Sequence, residues 1–386
     1  MKDTNTDIAG FKKKTAIVIL AFADYESLEL ALASHAKYSI DSGVDIYILQ
    51  NGRGTYDCER TYEVAKRYHN LFPKNIFVVD YIKPGAPFSS LQVLFKSKEF
   101  KKYDHIIKLD DDVMVLTPDW VDKLCSSFIQ NKNKFGDELA YITSLVNNNP
   151  YGFKKIIDNS KKLSEDYYKN IARDHLVGPD CDDSFAAYRI LPKDRIYDGA
   201  NGTIWRYPYI ARWLHKNTTL QPEEYLKLSS KLGEEEVNNK ERYSINCLLF
   251  DKKLWADELS NVEEDCVDDE HLLHAYCLKY NKRIVANLSI PMVHLFFFSQ
   301  RNECKDMIDE LRDFYSKYFN LPFPITICSN RLIEIENRLR YLEQNSSSVK
   351  AKKKTIVRGG IQCVREMGLM YTIKYIPKRL LRGSSR

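Results

Sequence analysis

Three consecutive carboxylates, Asp110-Asp111-Asp112, follow Ile106-Ile107-Lys108-Leu109 and precede the apolar run 113–115. A hydrophobic strand that ends in three carboxylates is costly, because neighbouring carboxylates repel and each raises the other's pKa. A hard divalent cation relieves that repulsion. Mg²⁺ and Mn²⁺ take oxygen ligands and leave positions open for phosphate oxygens. A metal so held stabilises charge on a departing diphosphate. A second acidic group lies downstream, Glu263-Glu264-Asp265 and then Asp268-Asp269-Glu270, where a helical pattern opens. Acids in a first helical turn also serve ordinary capping. His294 stands within the apolar run 292–296, where a lone histidine is ordinarily a packed core residue.

The elements that must position these residues follow from periodicity. Residues 15–23 form a continuous apolar run ended by Asp24, the pattern of a parallel strand covered on both faces. Helical spacing fills 25–42. A second strand over 44–49 closes on Gln50-Asn51-Gly52, a turn signal. Then come a helix over 55–72, a strand over 75–81, a helix over 88–103 and a strand over 105–109. Strands alternating with helices at this spacing predict βαβ units and a parallel sheet. Ligands bind such sheets at the carboxyl ends of the strands. Asp24, Asn51 and the 110–112 triplet all fall there, from different strands.

Residues 147–240 are polar and irregular, from Asn147-Asn148-Asn149-Pro150 to Glu234-Glu235-Glu236, and read as an insertion with helices. Its aromatic residues at 201–207 and Trp213 suit either sugar stacking or core packing. Regular patterns return as a strand over 243–250, a helix over 269–280, strand-like runs over 283–298 and helices over 302–319 and 333–342.

At the DDD segment the chain resembles GT-A-fold glycosyltransferases, those of family 2 in particular. The stretch 108–119 is similar to the family's DxD segment, 17–24 to its first strand and 46–52 to its second, with Gln50 where family 2 usually has Asp. The resemblance spans about 15–146 and 243–299. It implies a GT-A (Rossmann-like) nucleotide-binding α/β sheet with helices on both faces, a polar insertion and a basic C-terminal extension. The implied division is 1–146 for nucleotide-sugar binding, 147–242 for the acceptor-side insertion, 243–300 for the acceptor half, 301–344 for a helical region and 345–386 for the tail.

The resemblance also implies roles. Phe22, Asp24, Gln50, Asn51, Asp110 and Asp111 would meet the nucleotide, with Asp110 near the ribose. Asp112 and His294 would hold Mn²⁺ or Mg²⁺. Inverting transfer needs a carboxylate to take the acceptor hydroxyl's proton; in the family an acidic pair before a Leu-rich helix does so. That register gives Asp269 first and Glu270 second, with Asp265 and Asp268 also open. The expected donor is a nucleotide-sugar, UDP-sugar favoured, and the acceptor a glycan or lipid-linked saccharide in surface polysaccharide or glycolipid assembly.

Composition limits the setting. Nine cysteines, an odd number without a Cys-x-x-Cys, read as reduced thiols. No apolar run reaches membrane-spanning length, so a cytoplasmic protein is expected. From 345 to 386 there are eleven Lys or Arg and one acid, Glu366, a net of +10 that leaves −5 for the remainder. Basic residues mixed with apolar ones suit an anionic membrane surface, hence a peripheral location on the inner face of the cell membrane. No nucleic-acid-binding motif is present, and the acidic body argues against nucleic acid as partner. A nucleotidyltransferase acting on sugar phosphates is the rival enzyme class. Its early Gly-rich phosphate loop has no counterpart at 21–25, which holds neither glycine nor Lys nor Arg.

Overall fold

A computed structural model describes residues 4–80, 87–171, 208–239, 245–261, 269–301 and 303–320. The chain divides into two compact units, 1–181 with 191–323, and 182–190 with 324–386. The second unit lies outside the described residues. So do the carboxylates at 263–265 and 268, the aromatic stretch 201–207, the helix expected over 333–342 and the basic tail.

The first unit is α/β. Its parallel half runs β1 (Thr15–Ala21), α2 (Tyr25–Tyr38), β2 (Asp45–Gln50), α3 (Tyr56–Leu71), β3 (Ile76–Val79), α4 (Pro87–Lys96) and β4 (His105–Asp110), after an opening helix α1 (Thr4–Lys13). These strands pair in parallel in the order β3-β2-β1-β4. The core of β1 is buried on both faces, as its unbroken apolar run requires. Two predicted helices are shorter than their patterns. Residues 40–42 and 99–102 tighten into 3₁₀ turns, and Gly43 (φ 77°) supplies the left-handed exit from the first.

Beyond β4 the sheet is no longer parallel. The order continues β4-β8-β6-β9-β5, where β5 is Val113–Val115, β6 Leu139–Val146, β8 Cys247–Asp251 and β9 Arg283–His294. β8 runs antiparallel to both neighbours, and β5 antiparallel to β9. Helix α5 (Trp120–Phe135) connects β5 to β6. The insertion contributes a strand of its own, β7 (Glu234–Val237), antiparallel to β9. Between them the insertion supplies α6 (Pro150–Asn159), α7 (Lys161–Asp166), α8 (Pro208–Asn217) and α9 (Pro222–Ser229). Trp213 is buried among Tyr167 and Phe153 and donates to Asp166 Oδ2 at 2.6 Å, so core packing accounts for it. Helices α10 (Asp269–Lys279), α11 (Phe298–Arg301) and α12 (Lys305–Tyr318) complete the described chain.

Pro291 lies inside β9, where β6 and β9 slip register: Ser144 faces Asn287, but Leu145 faces Pro291. A proline within a sheet needs such an irregularity, because it cannot donate to the ladder. After the bulge, β9 delivers His294 opposite Val113, beside the carboxylate triplet. Cys58, Cys125, Cys247, Cys277 and Cys304 are buried free thiols. Burial pushes Cys125 and Cys247 up to about 12, which leaves them unreactive. No described helix is long and apolar enough to cross a membrane.

Candidate active site

Sheet register explains why the acidic triplet meets the first two strand ends. Leu20 lies beside Asp110, and Ala21 beside Gln50. The chain leaving β1 turns sharply at Ala23, whose φ of 52° is unusual for a residue with a side chain. Asp24 then caps α2 by accepting from Ser27 N at 3.2 Å. Phe22 N donates to Asp111 Oδ2 at 2.7 Å, which ties the first strand end to the triplet. Asn51 N donates to Ala21 O at 2.8 Å and ties the second.

The Gln50 amide nitrogen is engaged within its own turn, while Oε1 makes no hydrogen bond among the described residues. The residue is buried, and Nε2 donates to the carbonyls of Gly52 and Cys58 at 2.9 and 3.0 Å. It holds the turn after β2 closed. Gly52 fits that turn because a Cβ there would lie 2.7 Å from both the Phe22 ring and Cys58 Sγ.

The carboxylates differ in surroundings. Asp110 Oδ1 accepts from the buried Lys108 Nζ at 2.5 Å, and Oδ2 accepts from Asn246 Nδ2 at 2.8 Å. Asp111 is buried, and burial followed by the Asp112 charge raises its pKa well above the ordinary carboxylate value. For Asp112, burial acts upward too and is the largest single influence, but the facing His294, Arg301 and a backbone N–H together outweigh it and the pKa falls below ordinary. His294 Nε2 lies 3.2 Å from Asp112 Oδ2, an oxygen that is buried and makes no hydrogen bond.

The other ring nitrogen of His294, Nδ1, donates to Asn148 O at 2.8 Å. That bond fixes the ring and turns Nε2 toward the carboxylates, as in metal-ligating histidines. Asp110, Asp112 and His294 each offer a ligand atom within 4.8 Å of the others. An orphaned carboxylate oxygen, a second carboxylate and an oriented imidazole fit a divalent cation.

Asp269 and Glu270 open α10, and Asp269 Oδ1 accepts from Glu270 N at 3.1 Å. Both act on Lys108. Burial lowers that ammonium's pKa, but Asp110 and then Asp269 raise it above the ordinary value, with Glu270 adding to this. The acidic pair is therefore within electrostatic reach of the triplet's first residue.

Several site residues have no counterpart in the sequence reading. Arg301, on α11, pairs with Asp24 at 3.0 Å and lies 3.7 Å from Asp112 Oδ2. It stands two residues past the stretch that resembled a family. Asn147, Asn148 and Asn149 are all buried. Asn147 Oδ1 accepts from His294 N at 3.0 Å, and Asn149 Nδ2 donates to Asn246 Oδ1 at 3.0 Å, the residue that in turn holds Asp110. Three asparagines before a proline read as a loop entering an insertion; their burial under the sheet edge is a tertiary fact. Lys108 was visible only as a polar interruption in an apolar strand.

No protein-family model matches the chain, and no curated protein does. Several solved structures similar to it are glycosyltransferases, and one is a cytidylyltransferase from Leptospira borgpetersenii, at 15% identity and TM-score 0.25, covering 34% of this chain and 53% of that one. One of the glycosyltransferases is the mannosyltransferase PcManGT from Pyrobaculum calidifontis in complex with GDP-Man and Mn²⁺, at 8% identity and TM-score 0.43, covering 96% of this chain and 88% of that one. Another is S. aureus TarS 1-349, at 12% identity and TM-score 0.37, covering 95% and 82%. A third, glucosyl-3-phosphoglycerate synthase from Mycobacterium tuberculosis, is 16% identical with TM-score 0.26 and covers 38% and 49%. At these values no residue role passes from them to this chain, whose α/β fold and Asp110–Asp112–His294 cluster stand on their own geometry.

Proposed function

We propose that the protein is a metal-dependent glycosyltransferase that moves a sugar from a nucleotide-sugar onto a hydroxyl acceptor. The observation that carries this reading is the convergence of Asp110, Asp112 and His294, with ligand atoms within 4.8 Å of one another, at the carboxyl ends of the parallel strands. A divalent cation held by Asp110, Asp112 and His294 would neutralise the diphosphate leaving group.

The chain's own residues supply the rest. The ends of β1 and β2, with Phe22, Asp24 and Asn51, form the surface for the nucleotide. Arg301, now paired with Asp24 and Asp112, suits a phosphate once a metal replaces it there. Asp269, with Glu270 as its alternate, is proposed to take the acceptor hydroxyl's proton. Transfer is proposed to invert the anomeric centre. UDP-sugar is the preferred donor, Mn²⁺ the preferred metal, and a glycan or lipid-linked saccharide in polysaccharide or glycolipid assembly the acceptor class. The basic tail is the proposed contact with an anionic membrane.

The test is donor turnover by the full chain across UDP-, GDP-, CMP- and dTDP-sugars, with Mn²⁺, Mg²⁺ or EDTA. The expected result is release of one nucleoside diphosphate, abolished by EDTA and by Asp112→Asn. Pyrophosphate release from a nucleoside triphosphate would instead establish a nucleotidyltransferase. A product with the donor's own anomeric configuration would remove inversion.

A further inference from the structure

Away from the acidic site, a groove of about 530 Å³ opens between the α6–α7 corner and helices α8 and α9. Five lysines line it, Lys161, Lys162, Lys216, Lys227 and Lys231, against one acid, Glu224. Lys216, Lys227 and Lys231 are exposed and form no ion pair among the described residues. An adjoining hollow extends the groove past Lys169, where Glu165 and Asp166 moderate the charge.

The rest of the lining is mostly hydrogen-bonding: Asn159, Asn217, Gln221 and Thr218. Leu163 and Leu228 are its aliphatic side chains. Uncompensated ammonium groups attract anions, and side-chain amides both donate and accept, as sugar hydroxyls do. The volume is that of a ligand pocket, larger than a lone ion needs. Few apolar residues leave little to hold an acyl chain.

A hydrogen-bond path runs from the groove wall to the acidic site. Thr218, in its wall, accepts through Oγ1 from Asn147 Nδ2 at 2.9 Å. The same Asn147 accepts from His294 N at 3.0 Å through its Oδ1. One buried side chain thus separates the groove wall from the backbone of the metal-ligand candidate.

We propose that this groove binds the acceptor, and that the acceptor is an anionic polysaccharide. Its phosphate or carboxylate groups pair with the lysines while its hydroxyls meet the amides. The acceptor role rests on the transferase reading; the binding role does not.

The experiment compares the full chain with the triple variant Lys216→Glu/Lys227→Glu/Lys231→Glu, whose positions are all exposed. Fluorescence anisotropy measures binding to labelled polygalacturonate, neutral dextran, oligo-dT and, by sedimentation, phosphatidylglycerol vesicles. The expected result is salt-sensitive binding of polygalacturonate, at least tenfold weaker dextran binding, and at least a tenfold loss of polygalacturonate affinity in the variant. Metal-dependent donor hydrolysis should be unchanged. Equal polygalacturonate affinity in both proteins would overturn the proposal. So would a lysine dependence seen only with oligo-dT or vesicles. Lysine-dependent polygalacturonate binding by a wild-type chain that turns over no donor would end the acceptor role and the transferase reading, while leaving the groove an anionic-glycan site.

Discussion

His294 Nε2 and Asp112 Oδ2 face each other at 3.2 Å, where a proton and a metal would compete. Burial alone would lower the imidazole's pKa, but the Asp112 carboxylate raises it above the ordinary value. A proton on His294 is therefore held more firmly than on an ordinary imidazole, and a cation must compete with it. Below the raised pKa, each unit of falling pH should weaken Mn²⁺ binding about tenfold. Calorimetric titrations at pH 6, 7 and 8 would check this; affinity independent of pH would remove His294 from the ligand set. The acidic pair of α10 allows a separate prediction. If Asp269 accepts the acceptor's proton, Asp269→Asn should lower kcat for transfer about 10²- to 10⁴-fold, with donor KM nearly unchanged. Glu270→Gln should then do far less, and the reverse ranking in steady-state kinetics would exchange the two roles.

At the scale of elements, the turn from β6 into α6 decides whether the site forms. Asn149 caps α6, accepting from Tyr151 N and Gly152 N. Gly152 is held so close beneath the end of β6 that a Cβ would fall 1.8 Å from Val146 O, a backbone atom that cannot rotate away. Gly152→Ala should therefore push α6 off the strand, at a cost of several kcal/mol. The shift displaces Asn147 and Asn148, so metal affinity should fall roughly 10- to 100-fold even in protein that remains folded. Thermal melts and Mn²⁺ titration of the variant read the two effects, and wild-type values in both would show that the turn tolerates movement. This turn also marks where sequence reasoning stops. The parallel half was legible because its strands are unbroken apolar runs and its helices carry regular spacing. Asp24, Asn51 and the triplet could be placed at one edge from strand order alone. In the mixed half β8, β9, α10 and α12 were legible as elements, whereas their antiparallel order and the shortest strands were not. A short strand such as β7, Glu234–Val237, carries mostly charged residues and belongs to the sheet only through pairing with β9. Gln50 illustrates the same limit within the site. Its place at a strand end suggested a ligand contact, and periodicity did not show that its nitrogen also holds two backbone carbonyls of its own turn. Arg301 and the three asparagines belong to the site through contacts distant in sequence, which periodicity does not encode.

Over the whole molecule, buried histidines should set its response to acid. His35 and His215 are fully buried, and burial lowers each imidazole from 6.5 to about 3. Their folded pKa values lie below the unfolded value, so each contributes stability that is present above pH 6.5 and is lost as pH falls toward 3. Each should cost about 2 kcal/mol between pH 6.5 and 5. Asp111 and the metal-free His294 act in the opposite sense, since both have raised pKa values. The net curve therefore mixes signs, and a difference measurement separates them. His35 packs edge-on to Trp120 at 5.9 Å and bonds Ser39 Oγ through Nδ1 at 2.9 Å, remote from the acidic triplet. His35→Asn removes its titration and leaves the other three groups in place. The variant should be less stable than wild type at pH 7.5, through lost packing. Its deficit should then shrink by about 1.4 kcal/mol for each pH unit below 6.5, as the wild type alone bears the cost of keeping that ring neutral. Urea denaturation at half-unit steps from pH 7.5 to 5 would trace the two curves. Parallel curves would mean that the His35 ring is reached by a proton without unfolding, and that the acid response resides elsewhere.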